Sequence, residues 1–282
     1  RINSLKHGVL YADAITTVSP TYAREICTEQ YGMGLQDTLR ARGGALIGIL
    51  NGVDYAEWNP ATDRHVPFHF SPQDLSGKEK TRQHLVRMLR MKVGKRTALL
   101  GLVSRLTVQK GFDLLFDVLP MILARRDLAL VALGSGEARY EEFLARLQQR
   151  FPQRVVYHRG YHDELAHLIE AASDMFLMPS LYEPCGLNQM YSLKYGTVPI
   201  VRRTGGLADS VQLFDPDTGQ GTGIVFDDFN PTAIAWAIET ALQLHRNRAL
   251  WTRMMLNGMA QDFSWERQGA HYVDLYERLV SP

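Results

Sequence analysis

The sequence predicts an α/β protein: an open, Rossmann-like parallel sheet with helices on both faces. Three observations carry that expectation. From Thr97 onward, short apolar runs alternate with stretches of helical spacing, an order that yields parallel strands joined by right-handed crossovers. The run Asp174–Met178 is followed by Pro-Ser-Leu-Tyr-Glu-Pro-Cys-Gly and then by the helically spaced segment Leu187–Tyr195, closed by Gly196; this reads as a buried strand crossing into a helix. Polar and glycine residues stand directly after each expected strand, on the edge where open sheets of this kind bind ligands.

In chain order, Leu5–Tyr11 has helical spacing, Ala14–Val18 is strand-like, and Ser19-Pro20 is a cap followed by proline at the first helical position. With no units before it to close a sheet, this strand-helix unit reads as the tail of a preceding domain. Gly43-Gly44 and the run Ala45–Leu50 lead to Asn51-Gly52, a tight-turn pair. Asn59–Lys78, with Pro60, Pro67, Pro72 and Gly77, reads as a surface loop near a lobe boundary, and the basic stretch Lys78–Arg96, with its stripe of Leu85, Met88, Leu89 and Met91, as a helix with a solvated charged face. Then follow strand Thr97–Val103, helix Phe112–Ala124, strand Leu128–Leu133, helix Ala138–Arg150, strand Val155–Tyr157 and helix Glu164–Ala172. Pro120 should kink the first of these helices or shift its start. After the crossover come strands Val198–Val201 and Gly223–Phe226 and three closing helices, the last over Ser264–Leu279 with a serine cap, an imperfect capping box and a stripe of Val273, Leu275, Tyr276 and Leu279. The expected division is 1–50 as the last unit of an N-terminal lobe with a linker, 51–262 as a C-terminal lobe, and 263–282 as a closing helix.

The 282 residues carry a formal charge of +1, with 45% hydrophobic and 22% charged content, which gives no electrostatic reason to expect nucleic acid or membrane as a partner. No apolar run approaches the roughly 18 residues of a membrane span. Two cysteines, Cys27 and Cys185, exclude a disulfide scaffold and suit a reducing cytosol. The first residue is Arg1 and no signal-peptide layout follows it, so the chain is expected to begin mid-protein.

The residues beyond the strands converge on one chemistry. Arg105 and Lys110 flank a loop ending at Gly111, and a planar guanidinium with a mobile ammonium suits the two phosphates of a nucleotide-sugar. Gly134-Ser135-Gly136 follows the second strand and Tyr161 the third, the latter an aromatic face for a base. Glu183 lies in the crossover beside Cys185, Gly186 and Leu187, where a helix amino terminus offers N–H groups to an anion and a carboxylate can steady an oxocarbenium-like sugar. Thr204-Gly205-Gly206 supplies consecutive backbone N–H groups as a cradle for phosphate or a sugar oxygen. Cys185 has no histidine placed as its base and reads as a wall of the site. His158, His162 and His167 fall in a strand-loop-helix setting, which does not give the i, i+4 spacing of a zinc helix, so no metal is expected, and no organic cofactor is expected either. A dinucleotide oxidoreductase is disfavoured because the third glycine of its fingerprint falls at Arg139.

Glu-Pro-Cys-Gly-Leu-x-Gln at 183–189, with Arg-Arg-Thr-Gly-Gly-Leu-Ala-Asp at 202–209, resembles the bacterial glycogen synthases and plant starch synthases, retaining glycosyltransferases of the two-lobed GT-B type. The resemblance covers nearly the whole chain but only the second half of such an enzyme. It implies glucosyl transfer from ADP-glucose to the non-reducing end of an α-1,4-glucan, with Arg105 and Lys110 on the diphosphate, Tyr161 against adenine and Glu183 at the sugar. It also implies that the leaving phosphate oxygen takes the proton of the incoming hydroxyl. Tyr191 stands where the wider group often has a second glutamate, so a two-carboxylate mechanism is not supported. The acceptor glucan and further catalytic groups are expected from an N-terminal lobe of the same enzyme, against which the closing helix packs. The alternative is a nucleotide-sugar-binding module without catalytic activity on its own.

Overall fold

The computed structural model describes residues 3–281; Arg1, Ile2 and Pro282, at the outer ends of the first and last expected segments, lie outside the described residues. Two short strands, β1 (Ile15–Thr17) and β2 (Leu46–Gly48), pair in parallel. Six more form the main sheet: β3 (Ala98–Val103), β4 (Leu128–Gly134), β5 (Val155–Arg159), β6 (Met175–Met178), β7 (Val198–Arg202) and β8 (Ile224–Phe226). Their order is β5-β4-β3-β6-β7-β8, and every pairing is parallel.

Strand side chains alternate between two apolar layers, as the pleat requires. Leu100, Leu102, Leu130, Ala132, Leu177 and Ile200 join one layer, covered by the helices Leu115–Arg125, Ala138–Arg150 and Pro231–Arg246. Leu99, Val131, Phe176 and Val201 join the other, covered by Asp163–Ala172 and Asn188–Lys194. Both faces are therefore dry, and no charged side chain could be tolerated mid-strand on either.

Four expectations change in detail. The α-helical part of the expected 112–124 helix starts at Leu115 after a 3-10 turn over Phe112–Leu114, and Pro120 remains inside it. The lone N-terminal strand gains a partner in β2, making a β-α-β unit around Pro20–Glu25, whose Ser19 cap accepts from Tyr22 N. The loop over 59–78 is not simply a surface loop, since Asp63, Val66 and Phe70 are buried in it and the next helix already begins at Ser76. The basic face of that helix, Ser76–Met88, is not wholly solvated either. Lys78 is buried and donates to Ala171 O at 3.0 Å, Tyr195 O at 3.0 Å and Thr197 Oγ1 at 2.7 Å, and burial pushes its ammonium down to about 7. Arg82 is buried beside Asp174, 3.5 Å away. Both cations tie the Ser76–Met88 helix to the lower edge of the sheet.

Among the described residues no helix is long and apolar enough to cross a membrane.

Candidate active site

Strand order places the site. β3 runs to β4 on one side while β6 lies on its other side, so the strand order reverses between β3 and β6. Connections leave that point in opposite directions, and a crevice opens beyond the carboxyl ends of the two strands. A cavity of about 220 Å³ occupies it, lined by Ser104 and Arg105 after β3, Pro179 and Ser180 after β6, Lys110, and Gly186 to Asn188 at the next helix start.

The central contact is an ion pair. Lys110 Nζ donates to Glu183 Oε2 at 2.6 Å, and Ser180 Oγ donates to the same oxygen at 3.0 Å. Glu183 is only 5% exposed, so the pair sits where water screens it weakly. Both bonds fall on Oε2. Oε1 accepts none among the described residues. Lys110 reaches this point because the chain turns sharply at Gly111, whose φ is +75° and where an added Cβ would meet Pro179 O at 1.9 Å; no other residue type fits there. Arg105 is exposed, with Gln109 Oε1 3.4 Å from its guanidinium, and Gln109 Nε2 in turn donates to Tyr182 O at 3.3 Å. The guanidinium thus hangs at the mouth of the cavity without an acidic partner among the described residues, a donor fork available to phosphate.

Thr204-Gly205-Gly206 packs directly behind Glu183: Gly206 N donates to Glu183 O at 3.0 Å, and Gly205, at φ +43°, has no room for a Cβ because Glu183 O would lie 1.9 Å away. The segment is not the open loop its sequence suggests. It starts the short helix Gly205–Ser210, and the carboxylate of Glu25 already accepts from Thr204 Oγ1 at 2.9 Å and Gly205 N at 3.0 Å. The cradle expected for a phosphate is therefore held by a side chain of the N-terminal unit, which a second carboxylate, Asp209, anchors through Thr21 N and Oγ1.

Cys185 is buried, and burial pushes its thiol up to about 11, which fits a wall rather than a nucleophile. Gly134 and Ser135 stand beside the Arg105 loop, with Leu106 N donating to Ser135 O at 2.9 Å, yet neither lines the cavity. Tyr161 lies further along the same edge, the residue 83% exposed and its hydroxyl donating to Asp163 Oδ1 at 2.7 Å. Arg105, Lys110, Gly186 and Leu187 thus gather at the cavity, with Glu183 bonded to Lys110 and Cys185 and Thr204–Gly206 behind. Gly134, Ser135 and Tyr161 form a second group on the rim. Sequence reasoning gave no role to Ser180, Asn188 or Glu25. The first two lie inside the crossover, where Ser180 is signalled as a partner for a buried glutamate while Asn188 Nδ2 donates instead to Val103 O at 3.1 Å; nothing local signals the third.

The crevice at the switch point of this parallel α/β sheet, where ligands of open α/β sheets bind, holds a cation-carboxylate pair. Residues 90–254 match the family model described as glycosyl transferases group 1, and residues 1–41 match that described as the starch synthase catalytic domain. The chain belongs to the group 1 glycosyl transferases. It is 50% identical over 282 residues to a glycogen synthase of Anaeromyxobacter sp. (strain Fw109-5), covering all of this chain and 59% of that protein. It is 47% identical to a glycogen synthase of Kosmotoga olearia, covering 99% of this chain and 58% of the relative. The chain thus spans somewhat over half the length of the relatives it matches. Among solved structures, the catalytic domain of starch synthase IV from Arabidopsis thaliana, bound to ADP and acarbose, superposes with a TM-score of 0.93 at 37% identity, over all of this chain and 58% of that one. A sucrose-phosphate synthase from Thermosynechococcus elongatus shares the fold alone, with a TM-score of 0.67 at 19% identity.

Proposed function

We propose that this chain is the donor-binding half of an ADP-glucose-dependent glycogen or starch synthase, which transfers glucose with retention to the non-reducing end of an α-1,4-glucan. The observation that carries the reading is the buried Lys110–Glu183 pair in the crevice between β3 and β6, with Arg105 at its mouth. A nucleotide-sugar placed there presents its diphosphate to Arg105 and Lys110 and its sugar to Oε1 of Glu183. As the glycosidic bond breaks, negative charge grows on the diphosphate and positive charge on the sugar ring. Fixed cations on one side and a carboxylate on the other stabilise both without reorganising. Among the described residues no carboxylate lines the cavity, and the reading gives the proton of the attacking hydroxyl to the leaving phosphate oxygen. The rim group of Gly134, Ser135 and Tyr161 is assigned to the nucleoside, with adenine against the Tyr161 ring. The solved relative bound to ADP and acarbose supports the choice of an adenine nucleotide and an α-glucan.

Acceptor binding and the remaining catalytic groups belong, in this reading, to an N-terminal lobe to which residues 3–50 are the tail and against which the helix Trp265–Val280 packs; Val273, Tyr276 and Leu279 on it are exposed. Cytoplasm is the compartment inferred, or plastid stroma for a plant source. The 282-residue chain alone is then a donor-binding module with little or no turnover. Glucan elongation assayed with ADP-glucose and UDP-glucose, in the full-length protein and in this chain, tests both parts. The reading expects ADP-glucose to be preferred by the full-length protein and near-zero elongation by the chain; elongation by the chain at the full rate contradicts the division, and a preference for UDP-glucose contradicts the donor.

A further inference from the structure

Next to Tyr161 lies a group of side chains that donor binding does not use. His65 Nε2 stands 3.6 Å from Asp163 Oδ2, and with His167 these residues offer three ligand atoms that all lie within 4.8 Å of one another. Asp163 and His167 are i, i+4 on the helix Asp163–Ala172 and so share a face, while His65 arrives from the loop that precedes the Ser76–Met88 helix.

A second observation, independent of that proximity, points to a ligand. His167 is fully buried; its Nδ1 is engaged by Asp63 Oδ2 at 2.7 Å, and its Nε2 has no hydrogen-bond partner. A carboxylate on Nδ1 keeps the ring proton there, so Nε2 presents a lone pair. Leaving a buried polar atom unmatched is costly unless something else meets it.

The surroundings are arranged as outer partners of a metal site are. Asp63 is itself fixed by His65 N, which donates to Oδ1 at 2.8 Å. Tyr161 OH donates to Asp163 Oδ1, leaving Oδ2 toward His65. Trp58 stacks on His167 with centroids 3.7 Å apart and covers that face of the ring. The His65 and Asp163 side chains, 20% and 40% exposed, leave an entry path from solvent.

We propose that His65, Asp163 and His167 bind a divalent transition-metal ion of the Zn²⁺ type, with a fourth position left to water. Two imidazoles and a carboxylate are a borderline donor set suited to such an ion rather than to Mg²⁺ or Ca²⁺. Bonds of about 2.0–2.1 Å place tetrahedral ligands roughly 3.3 Å apart, so the trio contracts on binding, and the two partly exposed members do the moving. Arg64 Nε, 3.2 Å from His65 Nε2, competes for that nitrogen; being exposed, it swings away. The ion clips the loop at His65 to the helix that follows Tyr161. The proposal does not depend on the donor or acceptor assigned above.

The test uses the 282-residue chain stripped of metal with a chelator, titrated with Co²⁺ while the visible spectrum is followed, and with Zn²⁺ in competition against a chromophoric chelator. One equivalent should bind with the intense visible band of four-coordinate Co²⁺. His65→Ala and Asp163→Asn should each weaken Zn²⁺ by at least about tenfold, Arg64→Ala should tighten it, and His158→Ala, an exposed histidine outside the trio, should leave it unchanged. These substitutions avoid fully buried positions, so folding, checked by circular dichroism, is expected to survive. Absence of saturable binding overturns the proposal, as does binding that His65→Ala and Asp163→Asn leave intact.

Discussion

Replacing Lys110 by methionine keeps the bulk of the side chain and removes its charge, leaving the Glu183 carboxylate with one neutral donor, Ser180 Oγ. The side chains of Lys110 and Glu183 are 18% and 7% exposed. Ion pairs on an open surface are worth about 0.2–1 kcal/mol, whereas removing one partner of a buried pair costs about 3–5 kcal/mol. This pair lies nearer the buried limit, so Lys110→Met should destabilise the chain by roughly 3 kcal/mol. Glu183→Gln should cost less, because an amide oxygen still accepts from Lys110 and Ser180. With both substitutions together no unpaired charge remains, so the loss should be smaller than the sum, with a coupling of about 2 kcal/mol in a double-mutant cycle read by urea denaturation at neutral pH. A cost for Lys110→Met below about 0.5 kcal/mol, with coupling near zero, would refute the claim that the site is an unscreened, preformed charge pair.

Gly205→Ala should cost at least about 2 kcal/mol and shift Glu183, since a Cβ at φ +43° meets Glu183 O at 1.9 Å; near-native denaturant stability contradicts that packing. Glu170 is buried and accepts from Ser192 Oγ, and burial raises its carboxyl from 4.5 to about 8. The folded state then holds a proton that the unfolded state releases, so this group's contribution is fully present below pH 4.5 and lost as pH rises toward 8. Glu170→Gln should therefore gain stability relative to the parent on going from pH 5 to pH 7.5, by on the order of 3 kcal/mol, and a pH-independent difference between the two contradicts it. Cys185, buried with its thiol near 11, should resist alkylation at pH 7.5 while the partly exposed Cys27 reacts. Mass spectrometry of the folded chain checks this, and rapid labelling of Cys185 contradicts it.

Strands and main helices were legible because each is encoded locally. Ala138–Arg150 matches its expected bounds, and β3 and β4 differ from theirs by a residue, since an apolar run between turn residues has few other uses. The helix Gly205–Ser210 was not legible: two glycines argue against helix, and what holds it is the Glu25 carboxylate, some 180 positions away in sequence, together with the Glu183 carbonyl. Lys78 failed as a solvated lysine for the same reason, because its three acceptors come from residues 171 to 197. At the site, Arg105, Lys110 and Glu183 could be proposed from residue type and position after a strand. That Lys110 and Glu183 form a contact ion pair could not, as they are 73 residues apart and meet only because β3 and β6 are neighbours. The i, i+4 spacing of Asp163 and His167 on a helix is legible in the sequence, but His65, which completes the trio, lies about a hundred residues upstream.

The central claim is that the crevice between β3 and β6 binds the diphosphate of an adenine nucleotide through Arg105 and Lys110. Calorimetric titration of ADP, with UDP in parallel, into the 282-residue chain and into its Arg105→Ala variant tests it most directly. The account predicts saturable binding of ADP, weaker binding of UDP, and loss of ADP binding in the variant. ADP binding that survives Arg105→Ala unchanged, or binding of neither nucleotide by a chain shown to be folded, contradicts it.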